Sequence, residues 1–410
     1  MDISRRGLMT SLAGAAALAP IAASAQGGPA VGQISLPDRT NFQIDHTYLN
    51  AAYVHPMGRM TYDATEAFLQ SRINQVDRAW PGDNPRNKAV EAFARLINAD
   101  PKDIAVVPST MVGENMVADA LGLNEHTKIV TDAYHYSPEI YGELHRRGVP
   151  LAVATPTNNR IELADIDRLI DKTTRLVAVS AVSSDTGYRH DIKALSEMAH
   201  RKGALVYADI IQAAGAVPID VKDSGVDFCC SGAYKWLMGD FGVAFLYVRP
   251  DRLPELQRLQ AGWRQVQSRV SHVYPFDTPG QAGLDYVMRD DAVGKFEVST
   301  PAWAALAGLV ASIGYVQSIG VDRIMRHRAP LMARLQAELP KRGFIPLTPA
   351  DRDSPTVAFA YQDAAAKLGP ALTAARVKIT VQPNRIRISP SVYNDMSDVE
   401  RLLQALATVT

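Results

Sequence analysis

Residues 226–248 read VDFCCSGAYKWLMGDFGVAFLYV. Two apolar, β-rich runs, VDFCCS (226–231) and GVAFLYV (242–248), flank a short segment that carries one lysine, Lys235, between Tyr234 and Trp236. Runs this continuously apolar suit strands covered on both faces, and so short a connection suits an antiparallel pair. The same kind of run recurs upstream: IAVVP (104–108), KIVTDA (128–133), PLAVAT (150–155), RLVAVSAV (175–182) and ALVYADI (204–210). Amphipathic helical stretches separate them. This alternation predicts a mainly parallel, seven-stranded α/β sheet with helices on both faces.

The pattern changes near residue 295. A long Ala/Leu-rich helical region covers 301–340. It is followed by short strands at FIPLT, TVAFAY, KITVQ and RIRIS, a helix at AAAKLGPALTAAR, and a last helix from Ser397. The predicted organisation is a large domain over 48–295 and a smaller α+β domain over 296–410, preceded by an arm at 26–47. With 410 residues and 47% hydrophobic content, the chain can bury cores of this size. Lys+Arg and Asp+Glu are both 43, which gives no electrostatic footprint for nucleic acid.

Residues 1–25 form a separate unit. Arg5-Arg6 precede a soft Ala/Leu-rich run and the small-x-small sequence Ala23-Ser24-Ala25. The run is too short and too mild for a membrane anchor. SRRGLM resembles a twin-arginine export signal, which implies a bacterial, periplasmic protein with no membrane attachment after cleavage.

Ligands in α/β sheets sit at the carboxyl ends of strands. After IAVVP come Ser109, Thr110 and Met111, opening a helix. They suit either a phosphate or an ordinary Ser/Thr cap. His135, after KIVTDA, is a packed aromatic or a stacking platform. Asp209 and Gln212, in ADIIQAAG, come after ALVYA (204–208), and a buried aspartate there needs a partner or a capping role. Lys235 follows the strand after that, or lies in a surface turn. There is no Gly-x-Gly, no Gly-Lys-Ser/Thr and no Cys-x-x-Cys, so dinucleotide, P-loop and thiolate-metal readings lack their motifs, and no metal is expected. A lysine, an aspartate and a helix start at strand ends are the parts that pyridoxal 5'-phosphate (PLP) needs.

With these residues in view, the sequence resembles the aminotransferase class V family of fold-type-I PLP enzymes, which includes cysteine desulfurases, isopenicillin N epimerase-like proteins and kynureninases. The resemblance rests on YLNAA (48–52), SSDTG (183–187), ADIIQAAG (208–215), SGAYKWLMGDFG (231–242), KFEVSTP (295–301) and RIRISPSVYN (385–394). It implies that Lys235 links to the cofactor and shuttles the proton at the substrate's α-carbon. Asp209 would pair with the pyridine nitrogen, Gln212 would approach the ring hydroxyl and His135 would stack on the ring. Thr110, Met111, Ser231 and Tyr234 would cradle the phosphate. Thr300 would serve the phosphate of a second subunit, making a homodimer with shared sites. Arg387 would hold the substrate carboxylate, with Asn50 and Ala51 beside it. Trp236 is expected in the core. The family's desulfurases use a cysteine before the C-terminal strands, and AARVKITVQPNRIRIS (374–389) has none. Cys229 and Cys230 are expected in the core, and Ser391 stands where many relatives have histidine. The implied activity is transamination or C–S β-elimination of an amino acid. Epimerisation, kynureninase-like hydrolysis and a non-catalytic binding role are the alternatives.

Overall fold

The computed structural model describes residues 34–74, 84–136 and 138–409. The export signal expected at 1–25 and the first part of the arm lie outside them.

Seven strands form the central sheet: β1 (Ile104–Val107), β2 (Lys128–Asp132), β3 (Leu151–Ala154), β4 (Thr174–Ser180), β5 (Leu205–Asp209), β6 (Phe228–Gly232) and β7 (Ala244–Val248). Their order is β1-β7-β6-β5-β4-β2-β3. All neighbours are parallel except β7, which runs antiparallel to both β6 and β1. The short connection at Lys235 is therefore a reversal. β1, β5, β6 and β7 are buried along their whole length, which explains their unbroken apolar character. The two faces of the sheet carry separate apolar cores. Phe93 stacks on Phe245 in one, and Tyr141, Tyr207 and Leu246 lie in the other.

After a first helix, α1 (Arg59–Asn74), helix ends follow local chemistry. α2 (Pro85–Ile97) begins with proline at its first position, where the Asn84 side chain accepts from Asn87 N, and stops at Asn98 in the left-handed region (φ 57°). α3 (Thr110–Ala120) is capped by Ser109, whose hydroxyl accepts from Val112 N at 3.2 Å.

The C-terminal sheet has the order Ile345–Pro346, Val357–Ala360, Arg385–Ile388, Thr380–Gln382, all antiparallel. Two segments sit elsewhere than the sequence suggested. The helical region 301–340 breaks at Gly320, and its first half, Trp303–Ile319, packs Leu306, Leu309 and Ile313 into the large-domain core. Conversely, Thr47–Tyr48 pairs with Val377–Lys378, and Leu49 lies in the C-terminal core with Leu331 and Ile386. Apolar segments on either side of a boundary dock on whichever face is uncovered, and sequence periodicity does not say which.

Candidate active site

Lys235 lies three residues beyond the end of β6, in a bend closed by Met238 N donating to its carbonyl at 2.8 Å. It is 6% exposed, with Nζ 5.5 Å from the Tyr136 ring centre and 5.8 Å from that of Tyr234. Burial opposes its charge and Arg387 repels it, while Asp209 favours it. The net result is a pKa lowered to about 8. Asp209, the last residue of β5, is buried, and its Oδ1 accepts from Ile211 N at 2.9 Å. Burial drives its pKa up to about 6 against that hydrogen bond, with Glu114 adding repulsion. An amine that is readily neutral thus faces a carboxylate that gains from a cationic partner.

The start of α3 is stitched to the end of β6. Thr110 Oγ1 accepts from Gly232 N at 2.7 Å. A Cβ at Gly232 would come within 2.9 Å of Ile211 Cδ1 and 3.2 Å of Thr110 Oγ1, so only glycine leaves this junction unfilled. Met111 is exposed on the first turn. Tyr234 is half-buried and stacks on Phe241, centres 4.9 Å apart. Ser231 differs from its expected role. It is enclosed within β6, where its hydroxyl donates to the Gly232 carbonyl at 3.2 Å.

His135 is buried, and both ring nitrogens have partners: Nε2 lies 2.7 Å from Glu114 Oε1 and Nδ1 3.2 Å from Ser180 Oγ. Burial opposes its charge, but Glu114, Asp209 and Asp132 outweigh this and hold its pKa above the ordinary histidine value. Glu114 Oε1 also accepts from Tyr141 OH at 2.5 Å. The sequence reading missed Glu114 and Tyr136. Glu114 sits one turn after Thr110 on the same face of α3, a carboxylate at a buried position, and that spacing was the available signal.

The third wall comes from the C-terminal sheet. Arg387 is buried. One terminal nitrogen donates to the Ser184 carbonyl and the other to Thr380 Oγ1 at 3.1 Å, while Nε has no hydrogen-bond partner among the described residues. Burial pushes its pKa down to about 10. Thr380 Oγ1 in turn donates to Asn50 Oδ1 at 2.6 Å. Ala51 is enclosed, with its N–H on the Ser389 carbonyl at 3.1 Å. Gln212 Nε2 donates to the Ala52 carbonyl at 3.0 Å, and its Oε1 accepts from Trp236 Nε1 at 2.9 Å. Trp236 is packed in the core, as its type suggested. Thr300 is exposed and takes no part in these hydrogen bonds. Ser391 is buried and bonded to His55, Nε2 to Oγ 2.8 Å. Cys229 and Cys230 are buried and unpaired, and burial pushes both thiols up.

Residues 84–402 match the family model described as aminotransferase class-V. This chain belongs to the aminotransferase class V family. It is a PLP-dependent enzyme. Among curated class V relatives, an uncharacterized aminotransferase, YcbU of Bacillus subtilis (strain 168), is 27% identical over 89% of this chain and 95% of its own. A probable cysteine desulfurase of Methanothermobacter thermautotrophicus is 31% identical over 72% of each chain. Among solved structures, the apo cysteine desulfurase of Thermococcus onnurineus NA1 superposes with a TM-score of 0.80 at 21% identity, covering 92% of this chain and 98% of that one. The cystine C-S lyase C-DES, solved with its product cysteine persulfide, gives 0.79 at 20% identity, covering 92% and 100%. These structural likenesses establish the fold.

The class V site fits PLP on the residues present. Lys235 offers an amine that is half neutral near pH 8. Asp209 offers a carboxylate that, among the described residues, accepts a hydrogen bond from one backbone N–H, that of Ile211. The α3 start offers its first backbone N–H groups beside the junction that Gly232 leaves unfilled, the Gly232 N–H itself being held by Thr110 Oγ1.

Proposed function

We propose that this enzyme transforms a free α-amino acid or a small amino-acid derivative, by transamination or by β-elimination that breaks a C–S bond. The observation that carries this is that buried Lys235, just beyond β6, feels the charges of both Asp209, at the end of β5, and Arg387, on the C-terminal sheet. When bound, PLP supplies an electron sink for negative charge at the substrate's α-carbon. Asp209 would hold the ring nitrogen protonated. His135, fixed by Glu114 and Ser180, would present its ring face. Thr110, Met111 and Tyr234 would surround the phosphate. The unpartnered Nε edge of Arg387 would take the substrate carboxylate, since guanidinium binds carboxylate with fixed geometry. Lys235 Nζ, whose pKa is lowered to about 8, would in its neutral form take the α-proton and return it.

The buried thiols favour one limit on this chemistry. Neither Cys229 nor Cys230 can form a thiolate readily, and no cysteine stands near the C-terminal strands. Sulfur cleaved from a substrate would therefore leave with a product and not on an enzyme cysteine. A test incubates the PLP-loaded enzyme with single amino acids, including cysteine and cystine, with and without a 2-oxo acid. Amino transfer or release of pyruvate with a sulfur product supports the proposal. Loss of chirality alone, or turnover of kynurenine alone, would replace it with an epimerase or hydrolase.

Two further proposals accompany it. The exposure of Thr300 supports a homodimer in which this residue serves the neighbouring site, and a protein that sediments as a monomer while saturated with PLP would contradict that. The Arg5-Arg6 leader supports folded export to the periplasm, and Arg5→Lys with Arg6→Lys should abolish it.

A further inference from the structure

Behind Lys235 lies a charge that the proposed chemistry does not use. Arg328, in helix Val321–Glu338, is 2% exposed. One terminal nitrogen donates to the Ala216 carbonyl, and its Nε and other terminal nitrogen have no hydrogen-bond partner among the described residues. Its guanidinium carbon sits 4.9 Å from the centre of the Trp236 ring. Burial pushes its pKa down to about 9, yet arginine keeps its proton throughout the working range. A buried cation with no carboxylate is costly, and an apolar side chain would pack this site better if packing were its purpose.

What the cation touches leads back to the active site through a chain of contacts and hydrogen bonds. Trp236 follows Lys235 in the chain, and Gly215 (φ 87°) lets the backbone beside Ala216 close on it, since a Cβ there would lie 2.5 Å from the Trp236 carbonyl oxygen. Trp236 Nε1 donates to Gln212 Oε1, and Gln212 Nε2 donates to the Ala52 carbonyl. Two residues earlier, Asn50 Oδ1 accepts from Thr380 Oγ1, which accepts from Arg387. A cation over the indole face fixes the ring plane, and with it the direction of the ring N–H.

We propose that Arg328 is a positioning residue: through Trp236 and Gln212 it sets the 50–52 loop, and through Asn50 and Thr380 it sets the orientation of Arg387 toward the substrate carboxylate. The proposal rests on the reading of Arg387 as the carboxylate grip, and the experiment separates the two.

The PLP-loaded enzyme is mixed with aminooxyacetate or with methoxyamine, and the loss of the violet band of lysine-linked cofactor is timed. Both reagents carry the same O–NH2 nucleophile, and only the first carries a carboxylate. The ratio of the two rates therefore reports carboxylate recognition. The wild type should prefer aminooxyacetate by about tenfold or more, and Arg387→Met should abolish the preference. Arg328→Met should lower it by about threefold or more while leaving the methoxyamine rate within about twofold, the size expected for coupling through a side-chain network. Trp236→Phe should lower it similarly, and the double variant no further. Arg328→Lys keeps the charge without the planar fork and covers the case in which the methionine variant does not fold. It should bind PLP with a reduced preference. Thermal unfolding of the cofactor-free variants measures any purely structural loss. If Arg387→Met loses the preference while the Arg328 variants keep it, or slow both reagents equally, Arg328 is structural and the proposal falls. If Arg387→Met keeps the preference, the reading of Arg387 falls and the proposal with it.

Discussion

Replacing Asp209 with asparagine should stabilise the cofactor-free chain and weaken the loaded one. The carboxyl is buried at the end of β5 with one backbone N–H as its hydrogen-bond donor. Asparagine keeps that shape and that acceptor. The pKa of Asp209 rises from 3.8 to about 6 on folding. Two units or so correspond to about 3 kcal/mol by which the native state disfavours the ionised group. Between those two pKa values the folded chain holds a proton that the unfolded chain has released, so this group lowers stability as pH rises through the window. The asparagine variant has no such proton. Its advantage over wild type should be small near pH 4, grow through pH 6, and level off at about 3 kcal/mol by pH 7–8. Binding of PLP reverses the sign, because the carboxylate then gains a cationic partner. Losing that charge-assisted hydrogen bond, about 1.5–3 kcal/mol, should weaken PLP binding roughly ten- to a hundredfold. Urea unfolding of the cofactor-free proteins from pH 4 to 8 measures the first effect, and absorbance titration with PLP the second. A variant no more stable than wild type at pH 8, or stabilised equally at every pH, would refute the account of Asp209 as a charge held ready for the cofactor.

Other outcomes follow from the same electrostatics. Glu114→Gln removes the group that most favours charge on buried His135. The histidine pKa should fall below 6.5, and an unchanged value by NMR titration would show that Glu114 does not control it. Lys235 must be neutral to capture PLP, and its pKa is lowered to about 8. The rate of PLP uptake by the cofactor-free chain should therefore rise with pH and be half-maximal near 8. Arg387→Met removes a repelling charge and should move that midpoint upward, and a midpoint that stays put would deny that the two groups share one site.

The fold was legible because most strands of the central sheet are long enough, and buried enough, to be written as continuous apolar runs; β3, at the sheet edge, is apolar although Val153 is exposed. The reversal at β7 was legible too, in the brevity of the connection through Lys235. The residues of the site itself lie at strand ends, where Asp209, Lys235 and the Ser109-Thr110 pair stand out against apolar neighbours. Partnerships across elements were not legible. Glu114 reads as one charge on a helix until β2 brings His135 against it, and Arg328 reads as a surface arginine until Trp236 covers it. Ser231 was expected at the phosphate from the family resemblance, but it lies enclosed in β6, a strand buried on both faces, with its hydroxyl on the Gly232 carbonyl. The docking of Thr47–Leu49 on the C-terminal sheet depends on three residues, too few for any periodicity to register.

The central claim is that Lys235 holds the cofactor. PLP-loaded protein would be reduced with borohydride, digested, and the phosphopyridoxyl label mapped by mass spectrometry. The account predicts one label per chain, on Lys235, and none in Lys235→Ala. A label on another lysine, or no label on a protein that shows the violet band, would contradict it.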